Sequence, residues 1–365
     1  MNNERYLTYI ALANNPEIGA KTILKLDKLF NNKLENIWKH NNISKIKDLH
    51  LTEKIRQLIK EIILHKNPKE EYIKIKKLGI DAVTLHCDNY PMLLKEIADP
   101  PAVLYFKGKL NNPEEMAIAI VGARKYTSYG KQVVEYLVPA LANAGLTIIS
   151  GLALGIDAFA HKAAVELKRR TIGVLGCGVD KIYPMSNYYL AKQMLETNGA
   201  IISEYPPGTP PYKSNFPLRN RIIAGMSLGV VVAEAAEKSG TLLTAKSALD
   251  YNRQVFAVPA SIFSDTSVGA NNLIKYGAKL VNDANDIISE LNLETKINEQ
   301  KAKRIYPGDN LEKLITSFLD ENEPIHIDKL KKLTKLKMSE LNAKLVFMEI
   351  KGLVKNIGNN NYIIN

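Results

Sequence analysis

Residues 216–244 read FPLRNRIIAGMSLGVVVAEAAEKSGTLLT, and this segment decides the fold. It places Arg219 and Arg221 on a predicted helix, passes through an apolar strand (residues 228–233), and ends in a small-residue turn (239–241) that starts another helix. Such a turn collects backbone N–H groups and attracts anions, and guanidinium groups match phosphate geometry. The segment therefore predicts an α/β unit with a phosphate or nucleic-acid site. The alternative is that both arginines pair with surface carboxylates.

A second turn of this kind follows the apolar run AIAIV at residues 117–121. Gly122, Arg124 and Lys125 come next, and the helical pattern QVVEYLVPALANAG follows them. This order is typical of the first strand, loop and helix of a dinucleotide-type domain. Gly122 lets the backbone approach a ligand, and the two cations add charge there. The motif GxGxxG is absent, so a dinucleotide fingerprint is not indicated.

Further apolar runs alternate with amphipathic helix patterns along the chain. They are predicted strands at residues 147–151, 171–178, 200–205, 228–233, 254–259 and 278–281. Continuous apolar strands between helices predict a doubly wound, mostly parallel, Rossmann-like sheet whose functional edge lies at the strand carboxyl ends. The residues expected to converge on this rim are Arg124, Asp157, Glu204, Lys213, Arg219, Arg221 and Thr241.

Four acidic or imidazole side chains are candidates for acid–base chemistry: Asp157, His161, Glu204 and Glu234. None has the spacing of a catalytic triad, a metal site or a carboxylate pair. Asp157 is better explained as a cap near a helix start, and His161 as a packed, hydrogen-bonded side chain. No catalytic residue, metal or cofactor is predicted.

Two small modules flank the core. The predicted boundaries are a helical domain at residues 1–75, the core at 76–297, a polar linker at 298–306 and a last domain at 307–365. Residues 15–23 (NPEIGAKTI) resemble the turn of a helix-hairpin-helix unit, although a purely structural turn fits equally well. The last domain has the order helix, helix, helix, β-hairpin, which is a winged-helix pattern.

The third helix of that last domain is predicted at about residues 337–351 and would read duplex DNA if the module binds it. Glu340 and Glu349 on this helix disfavour DNA binding, so docking or regulation is the preferred role.

Composition favours a polyanion partner. The net charge is +11 and the isoelectric point is about 9.3. The excess is spread along the chain, so placement of charge must create any binding site. Cys87 and Cys177 stand far apart without a CxxC motif, which indicates neither zinc nor disulfides. No signal-peptide pattern or run of about 20 apolar residues is present, so a cytoplasmic protein without membrane contact is expected.

Six ordered motifs resemble a known family. They are GARKYTSYG, SGLALGIDAFAHKAA, LGCGVDKIYPMSN, SEYPPGTPPYKSNFPLRNRIIAG, EAAEKSGTLLTAKSAL and VPASIFSDTSVGANNLIKYGAKLV. In this order they resemble the DNA-processing proteins called DprA or Smf, over about residues 79–291. The resemblance implies a Rossmann-like core that binds single-stranded DNA and delivers it to the RecA recombinase in natural transformation. It also implies a homodimer, a sterile-alpha-motif-like N-terminal domain, and single-strand-binding protein as a further candidate partner.

The rim and the resemblance together give a candidate DNA site. Its phosphate ligands are Arg124, Lys213, Arg219 and Arg221, with Lys125 adding charge, and the resemblance places Arg124 and Lys213 among the family's DNA contacts. N–H and hydroxyl donors are expected from Gly122, Ser128, Ser239, Gly240 and Thr241. Phe216 offers a base-stacking face or packs in the core. The family often has a basic residue where Met185 stands, so that contact is lost or moved.

The resemblance also implies a self-association and RecA surface. It maps to Asn271, Ile274, Lys275 and Leu280. Ile274 and Leu280 are candidates for the dimer patch and Lys275 for RecA contact, whereas the alternative is that both apolar residues belong to the core.

The rival hypothesis is an enzyme. The core also resembles nucleotide-processing proteins of the Lonely Guy phosphoribohydrolase type, whose PGGxGTxxE loop carries a catalytic Glu. Residues 237–244 (EKSGTLLT) keep Gly240 and Thr241 of that loop, but Thr244 stands in place of the Glu. The missing carboxylate favours binding over hydrolysis.

Overall fold

The computed structural model describes residues 3–39, 45–46, 49–110, 116–294, 297, 310–320, 323–350 and 353–364. The chain forms two compact units, Met1–Leu291 and Asn292–Asn365. The predicted linker at residues 298–306 lies outside the described residues, as does Lys351 at the end of the predicted recognition helix. The predicted domain boundaries, including the one at residue 75, stay predictions.

A large sheet forms the centre of the first unit. Within the described residues its strands are β1 Asp81–Thr84, β2 Val103–Gly108, β3 Ala117–Gly122, β4 Thr147–Ser150, β5 Thr171–Val174, β6 Ala200–Ser203, β7 Gly229–Glu234, β8 Gln254–Ala257 and β9 Lys279–Leu280. The strand order is β1-β2-β6-β5-β4-β3-β7-β8-β9. All neighbours from β6 to β9 pair in parallel, whereas β1–β2 and β2–β6 are antiparallel.

Helices cover the sheet. In the first unit they are α1 Asn3–Ala13, α2 Ala20–Leu29, α3 Glu53–His65, α4 Pro68–Lys77, α5 Met92–Lys95, α6 Ser128–Asn143, α7 Ile156–Glu166, α8 Tyr188–Glu196, α9 Asn215–Gly225, α10 Thr241–Asp250, α11 Val268–Lys275 and α12 Ala284–Glu290. Short 3₁₀ segments occupy Leu34–Trp38 and Met185–Asn187. The Thr127 hydroxyl caps α6 by accepting from the Gly130 N–H at 3.2 Å.

The central strands are buried on both faces. Every residue of β4, β5, β6 and β7 is buried, and these strands consist mainly of Ile, Val, Ala and Thr. A strand without an exposed face requires cover on both sides of the sheet. The structure thus confirms the predicted doubly wound, mostly parallel Rossmann-like core. The antiparallel edge formed by β1 and β2 was not predicted.

The N-terminal helices share a hydrophobic core with this edge of the sheet. Tyr9, Leu12 and Ile23 pack in the same cluster as Val103 and Tyr105 of β2. The Tyr105 hydroxyl also donates to Asn14 Oδ1 at 2.9 Å, just after α1. Residues 3–39 are therefore held against the sheet by apolar burial and by a partly buried hydrogen bond.

The second unit is small. Its elements are α13 Asn310–Thr316, β10 Ile325–His326, α14 Ile327–Thr334, α15 Met338–Ile350, β11 Val354–Asn356 and β12 Asn361–Ile364. β12 pairs antiparallel with β10 and β11, over a core that includes Leu330, Leu341 and Leu345. The predicted hairpin is present, and Gly358 in its turn has φ 105°. The winged-helix assignment stays a prediction.

The strand order creates a switch point in the large sheet. From β3 the chain adds β4, β5 and β6 on one side and then crosses to add β7, β8 and β9 on the other. The loops after β3 and β7 therefore part at the carboxyl edge, which is where open α/β sheets bind ligands.

Candidate nucleic-acid interface

At the carboxyl edge, two hydrogen bonds join the loop after β3 to the end of β7 and the start of α10. The Ala123 N–H donates to the Glu234 carbonyl at 2.9 Å, and the Thr241 hydroxyl donates to the Gly122 carbonyl at 3.0 Å. A Cβ on Gly122 would lie 2.6 Å from Ile156 of α7. Gly122 is therefore needed for helix packing, and the Thr241 hydroxyl ties two strand ends together.

Glu234 anchors the loop after β3. Its side chain is 2% exposed and accepts the Thr127 N–H at 3.0 Å. A Cβ on Gly130 would overlap Glu234 Oε2, so glycine is required in the first turn of α6. The carboxylate fixes the loop that carries Arg124 and Lys125, which is a positioning role.

Arg219 lies beneath the rim. It is 3% exposed, and its Nη1 donates to the Gly151 carbonyl at 2.5 Å and to the Val174 carbonyl. Asp157 Oδ2 accepts the N–H groups of Gly151 and Ala153 at 3.2 and 3.4 Å. A Cβ on Gly151 would overlap Arg219 Nη1 and lie 2.6 Å from Asp157 Oδ2, so only glycine fits there. Arg219 and Asp157 thereby hold the loops after β4 and β5.

Burial shifts the pKa values of these groups. It lowers the pKa of Arg219 to about 10, against the attraction of Asp157, and raises the pKa of Asp157, against the attraction of Arg219. Burial, followed by the charge of Arg219, lowers the pKa of His161 to about 3. His161 is therefore neutral at physiological pH. We call Arg219, Asp157 and His161 the buried polar layer.

One hydrogen bond defines the tautomer of His161. The Thr171 hydroxyl donates to the Ile148 carbonyl at 2.8 Å and lies 2.6 Å from His161 Nδ1. The hydroxyl must therefore accept from an Nδ1–H group. The bond to Thr171 matches the predicted packed histidine. Asp157 lies in the first turn of α7, as expected, but the capping role is wrong: α7 has no side-chain cap, and the carboxylate accepts N–H groups of the loop before the helix.

Arg221 forms ion pairs within the protein. Its Nη2 donates to Glu204 Oε2 at 2.5 Å, and its Nε lies 3.3 Å from Asp99 Oδ2. Burial raises the pKa of Glu204, and the charge of Arg221 opposes that rise. This geometry agrees with the alternative stated from the sequence, that the arginine pairs with carboxylates. The structure gives Arg219 and Arg221 internal partners, and a phosphate-binding role for either stays untested.

The exposed part of the rim carries a cation and two aromatic rings. The guanidinium carbon of Arg124 lies 5.5 Å from the ring centroid of Phe216. The Tyr183 ring lies 5.6 Å from Phe216, with an angle of 36° between the planes. We call Arg124, Phe216 and Tyr183 the aromatic rim. Phe216 is half-buried, while Arg124 and Tyr183 are exposed.

Two loops and a helix start position the aromatic rim. Arg124 follows β3, Tyr183 lies in the loop after β5, and Phe216 is in the first turn of α9. Phe216 rests on the backbone after β5, because a Cβ on Gly176 would lie 3.1 Å from its ring. Exposed Lys125, Ser128 and Lys213 belong to the same loops and helix starts.

The predicted donors of the loop after β7 are partly engaged. Ser239 Oγ accepts the Thr241 N–H at 3.2 Å, and the Thr241 hydroxyl serves Gly122 as described above. Gly240 is exposed, and a Cβ there would have nothing within 4 Å. Asn220 Nδ2 donates to the Gly240 carbonyl at 3.4 Å and joins α9 to this turn.

The predicted self-association residues lie on α11 and β9. The Asn271 side chain donates to the Ala260 carbonyl at 2.9 Å and accepts the Ala260 N–H at 3.2 Å, which fixes the loop after β8. Ile274 is half-buried, and Leu280 is 38% exposed. Lys275 is exposed. Neither apolar residue is fully buried core.

The candidates for acid–base chemistry all have internal partners, as described for Asp157, His161, Glu204 and Glu234. In the described part of the chain, no group of three or more His, Cys, Asp and Glu side chains is placed to hold a metal ion. None of the helices built from described residues is long and apolar enough to cross a membrane. Thr244, at the position of the Lonely Guy glutamate, is 2% exposed.

Comparison with known proteins decides the family. A family profile described as DNA recombination-mediator protein A matches residues 81–292. The chain belongs to the DprA/Smf family of DNA-processing proteins. It is 40% identical over 279 residues to DNA processing protein DprA of Bacillus subtilis, covering 74% of this chain and 94% of the relative. It is 34% identical to protein Smf of Synechocystis, covering 97% of each.

Two solved DprA structures have the same fold. The X-ray structure from Streptococcus pneumoniae matches with a TM-score of 0.66 and 35% identity, over 78% of this chain and 95% of that one. The structure of the Helicobacter pylori protein, determined to show its single-stranded DNA binding mode, matches with a TM-score of 0.52 and 32% identity, over 58% and 95%. The DprA/Smf expectation for the core fold is thus confirmed.

Sequence reasoning missed Tyr183 of the aromatic rim. This residue lies within the quoted motif LGCGVDKIYPMSN, directly before Pro184, and its family context drew attention to Met185 instead. Met185 is 73% exposed. The signal that would have found Tyr183 is a tyrosine in a strand-to-helix loop at the carboxyl edge, where a ring has little apolar core to enter.

Proposed function

We propose that this DprA/Smf protein binds single-stranded DNA without sequence specificity, through the aromatic rim at the carboxyl edge of the sheet. The observation that carries the proposal is the exposed Arg124 guanidinium stacked on Phe216, with Tyr183 beside it and Lys213 in the preceding turn. A basic groove with aromatic rings is the usual means of holding single strands. The H. pylori relative, which binds single-stranded DNA, supports the proposal.

In the proposed mechanism, cationic side chains bind phosphates and aromatic rings stack on bases. Arg124, Lys125 and Lys213 neutralise phosphates, and exposed Ser128 and Gly240 are further proposed donors. Phe216 and Tyr183 stack on bases. This stacking does not depend on the sequence, because every base has a π-face. The buried polar layer has no direct contact with DNA in this mechanism and fixes the loops on which the rim stands.

We infer that the bound strand is delivered to the RecA recombinase during DNA uptake and natural transformation, in the cytoplasm. The family profile, described as a recombination mediator, supports this role. Single-strand-binding protein is a further proposed partner. The smaller unit, as a winged helix, is proposed to dock proteins or regulate the core, and the N-terminal helices to form a sterile-alpha-motif-like domain.

We propose a homodimer formed through α11 and β9. Half-buried Ile274 and partly exposed Leu280 provide apolar contact, and exposed Lys275 is proposed to face RecA. Two linked rims would raise avidity for a long strand without any new contact. Ile274→Glu should give a folded monomer by light scattering. A wild-type monomer at tens of micromolar, or a dimeric mutant, places the interface elsewhere.

The proposed role is binding and not hydrolysis. Thr244 replaces the glutamate of the phosphoribohydrolase loop and is buried, and the nearby carboxylate Glu234 is engaged with the Thr127 N–H. Release of free base from AMP above the buffer rate, lost in a Thr241 variant, would restore the enzyme hypothesis.

A salt-resolved titration tests the binding proposal. Single-stranded and duplex oligonucleotides of equal length are compared at about 0.15 M salt, where the Debye length is about 8 Å. We expect tighter binding of the single strand, with similar affinity for different sequences. Equal affinity for both forms would contradict the proposal.

A further inference from the structure

A groove outside the aromatic rim runs between α7 and α8. Its volume is about 440 Å³, and its lining includes Phe159 and Lys162 of α7, Leu190 of α8 and Asn187 between them. The lining combines an aromatic ring and an aliphatic side chain with the ammonium group of Lys162, the amide of Gln193 and the carboxylate of Glu166. This combination fits a nucleobase joined to a phosphate.

Contacts of Phe159 and Asn187 link the groove to two of the loops at the carboxyl edge of the sheet. Tyr126 follows Arg124 by two residues, and its ring meets Phe159 edge to face, with centroids 4.6 Å apart at 81°. On the other side, buried Asn187 donates to the Leu152 and Ala153 carbonyls at 2.9 and 3.2 Å. These bonds hold the groove wall against the loop after β4. A strand leaving the rim past Arg124 would therefore reach Tyr126 and then the groove.

Two lysines supply positive charge along this path. Lys131 Nζ lies 5.6 Å from the Phe159 ring centroid. Lys131 and Lys162 each form an exposed ion pair one turn along their helix, with Glu135 at 3.5 Å and Glu166 at 3.7 Å. Exposed pairs of this kind contribute little stability, so a phosphate can replace the carboxylate at small cost.

We propose that Tyr126 and Phe159, with Lys131 and Lys162, form a second base-stacking subsite that takes a nucleotide of the same single strand beyond the aromatic rim. The proposal rests on the proposed function, because the strand must first occupy the rim. The second subsite extends the length of strand that one protein molecule contacts. Its consequence is a dependence of affinity on oligonucleotide length that the aromatic rim alone does not give.

The test is a length series of oligothymidylates, from about 4 to about 20 nucleotides, with the full chain. We expect Tyr126→Ala to bind the shortest bound oligonucleotides like wild type and to bind longer ones about tenfold more weakly, as for one lost base stack. Tyr126→Phe keeps the ring and should restore the affinity. Tyr136→Ala, which removes a 64% exposed tyrosine of α6 outside the groove lining, is the matched control.

The results separate this subsite from the rim. Arg124→Ala should weaken binding at every length. If Tyr126→Ala also weakens every length equally, the tyrosine belongs to the rim and the separate subsite is wrong. Unchanged binding of Tyr126→Ala and Lys162→Ala at all lengths would also overturn the subsite while leaving the proposed function intact. A wild-type protein that binds no single strand would overturn both.

Discussion

The aromatic rim and the buried polar layer each contain an arginine at the same edge of the sheet, in two different environments. Arg124 is exposed and stacks on an aromatic ring, whereas Arg219 is 3% exposed and donates to backbone carbonyls. Both follow predicted strand ends, and the sequence predicts both as phosphate ligands. The difference teaches that an arginine at the carboxyl edge is either exposed, where we propose that it contacts DNA, or buried, where it fixes the loops.

The largest expected effect separates the two arginines by stability. Arg219→Met should reduce the free energy of unfolding by roughly 3–5 kcal/mol, because Asp157 stays buried without its neighbouring charge and two carbonyls lose a donor. Arg124→Met should change it by less than about 0.5 kcal/mol. Urea unfolding followed by the fluorescence of Trp38, the single tryptophan, measures both. Equal free energies of unfolding for the two variants would contradict the distinction between the aromatic rim and the buried polar layer.

The second prediction concerns pH and the buried polar layer. The folded pKa of His161, about 3, lies below the unfolded value of about 6.5. The unfolded chain therefore binds more protons between these values, so stability is present above pH 6.5 and is lost as pH falls toward 3. The loss from this residue should reach about 2 kcal/mol at pH 5.

Comparison with His161→Gln isolates that contribution, because the other titrating groups are common to both proteins. The difference in unfolding free energy between wild type and variant should shrink as pH falls from 7 to 5. A difference that stays constant over this range would mean that His161 is not held neutral by burial.

The third prediction concerns the exposed cations. Arg124→Met and Lys213→Met should each weaken single-strand binding about tenfold and lower the slope of log affinity against log salt by roughly 0.7, since fewer counterions are released. Their unfolding should match wild type. Lys168→Met is a control, because this exposed lysine follows α7 at the opposite edge of the sheet. A variant with normal affinity and slope excludes that residue from the site.

Much of the fold could be predicted from the sequence because its strands are buried on both faces. Apolar runs such as residues 117–121 and 228–233 coincide with β3 and β7 to within a residue or so. β1 and β2 are also mostly buried, but an apolar run alone does not indicate the direction in which a strand pairs, so the antiparallel pairing of β2 with β1 and β6 was not predicted. The sequence also predicts which turn residues lie at the carboxyl edge, because their positions follow from the predicted ends of the strands.

The depth of each side chain at that edge was harder to predict. Arg219 and Arg221 are two residues apart on a helix, so they point in different directions and cannot share one ligand-facing surface. That geometry was available from the sequence, but the partners were not. Gly151, Asp99 and Glu204 lie far from the arginines in sequence and meet them only through the strand order.

Photo-crosslinking tests the central claim, that the aromatic rim holds the single strand, most directly. An oligothymidylate carrying 5-iodouracil is irradiated with the full chain, and the attached residues are mapped by mass spectrometry. The account predicts crosslinks at Phe216 and Tyr183, lost with Arg124→Met at salt concentrations where wild type still binds. Crosslinks confined to the smaller unit would contradict the account. Lys331 of α14 and Lys335, which directly follows that helix, are examples of such positions.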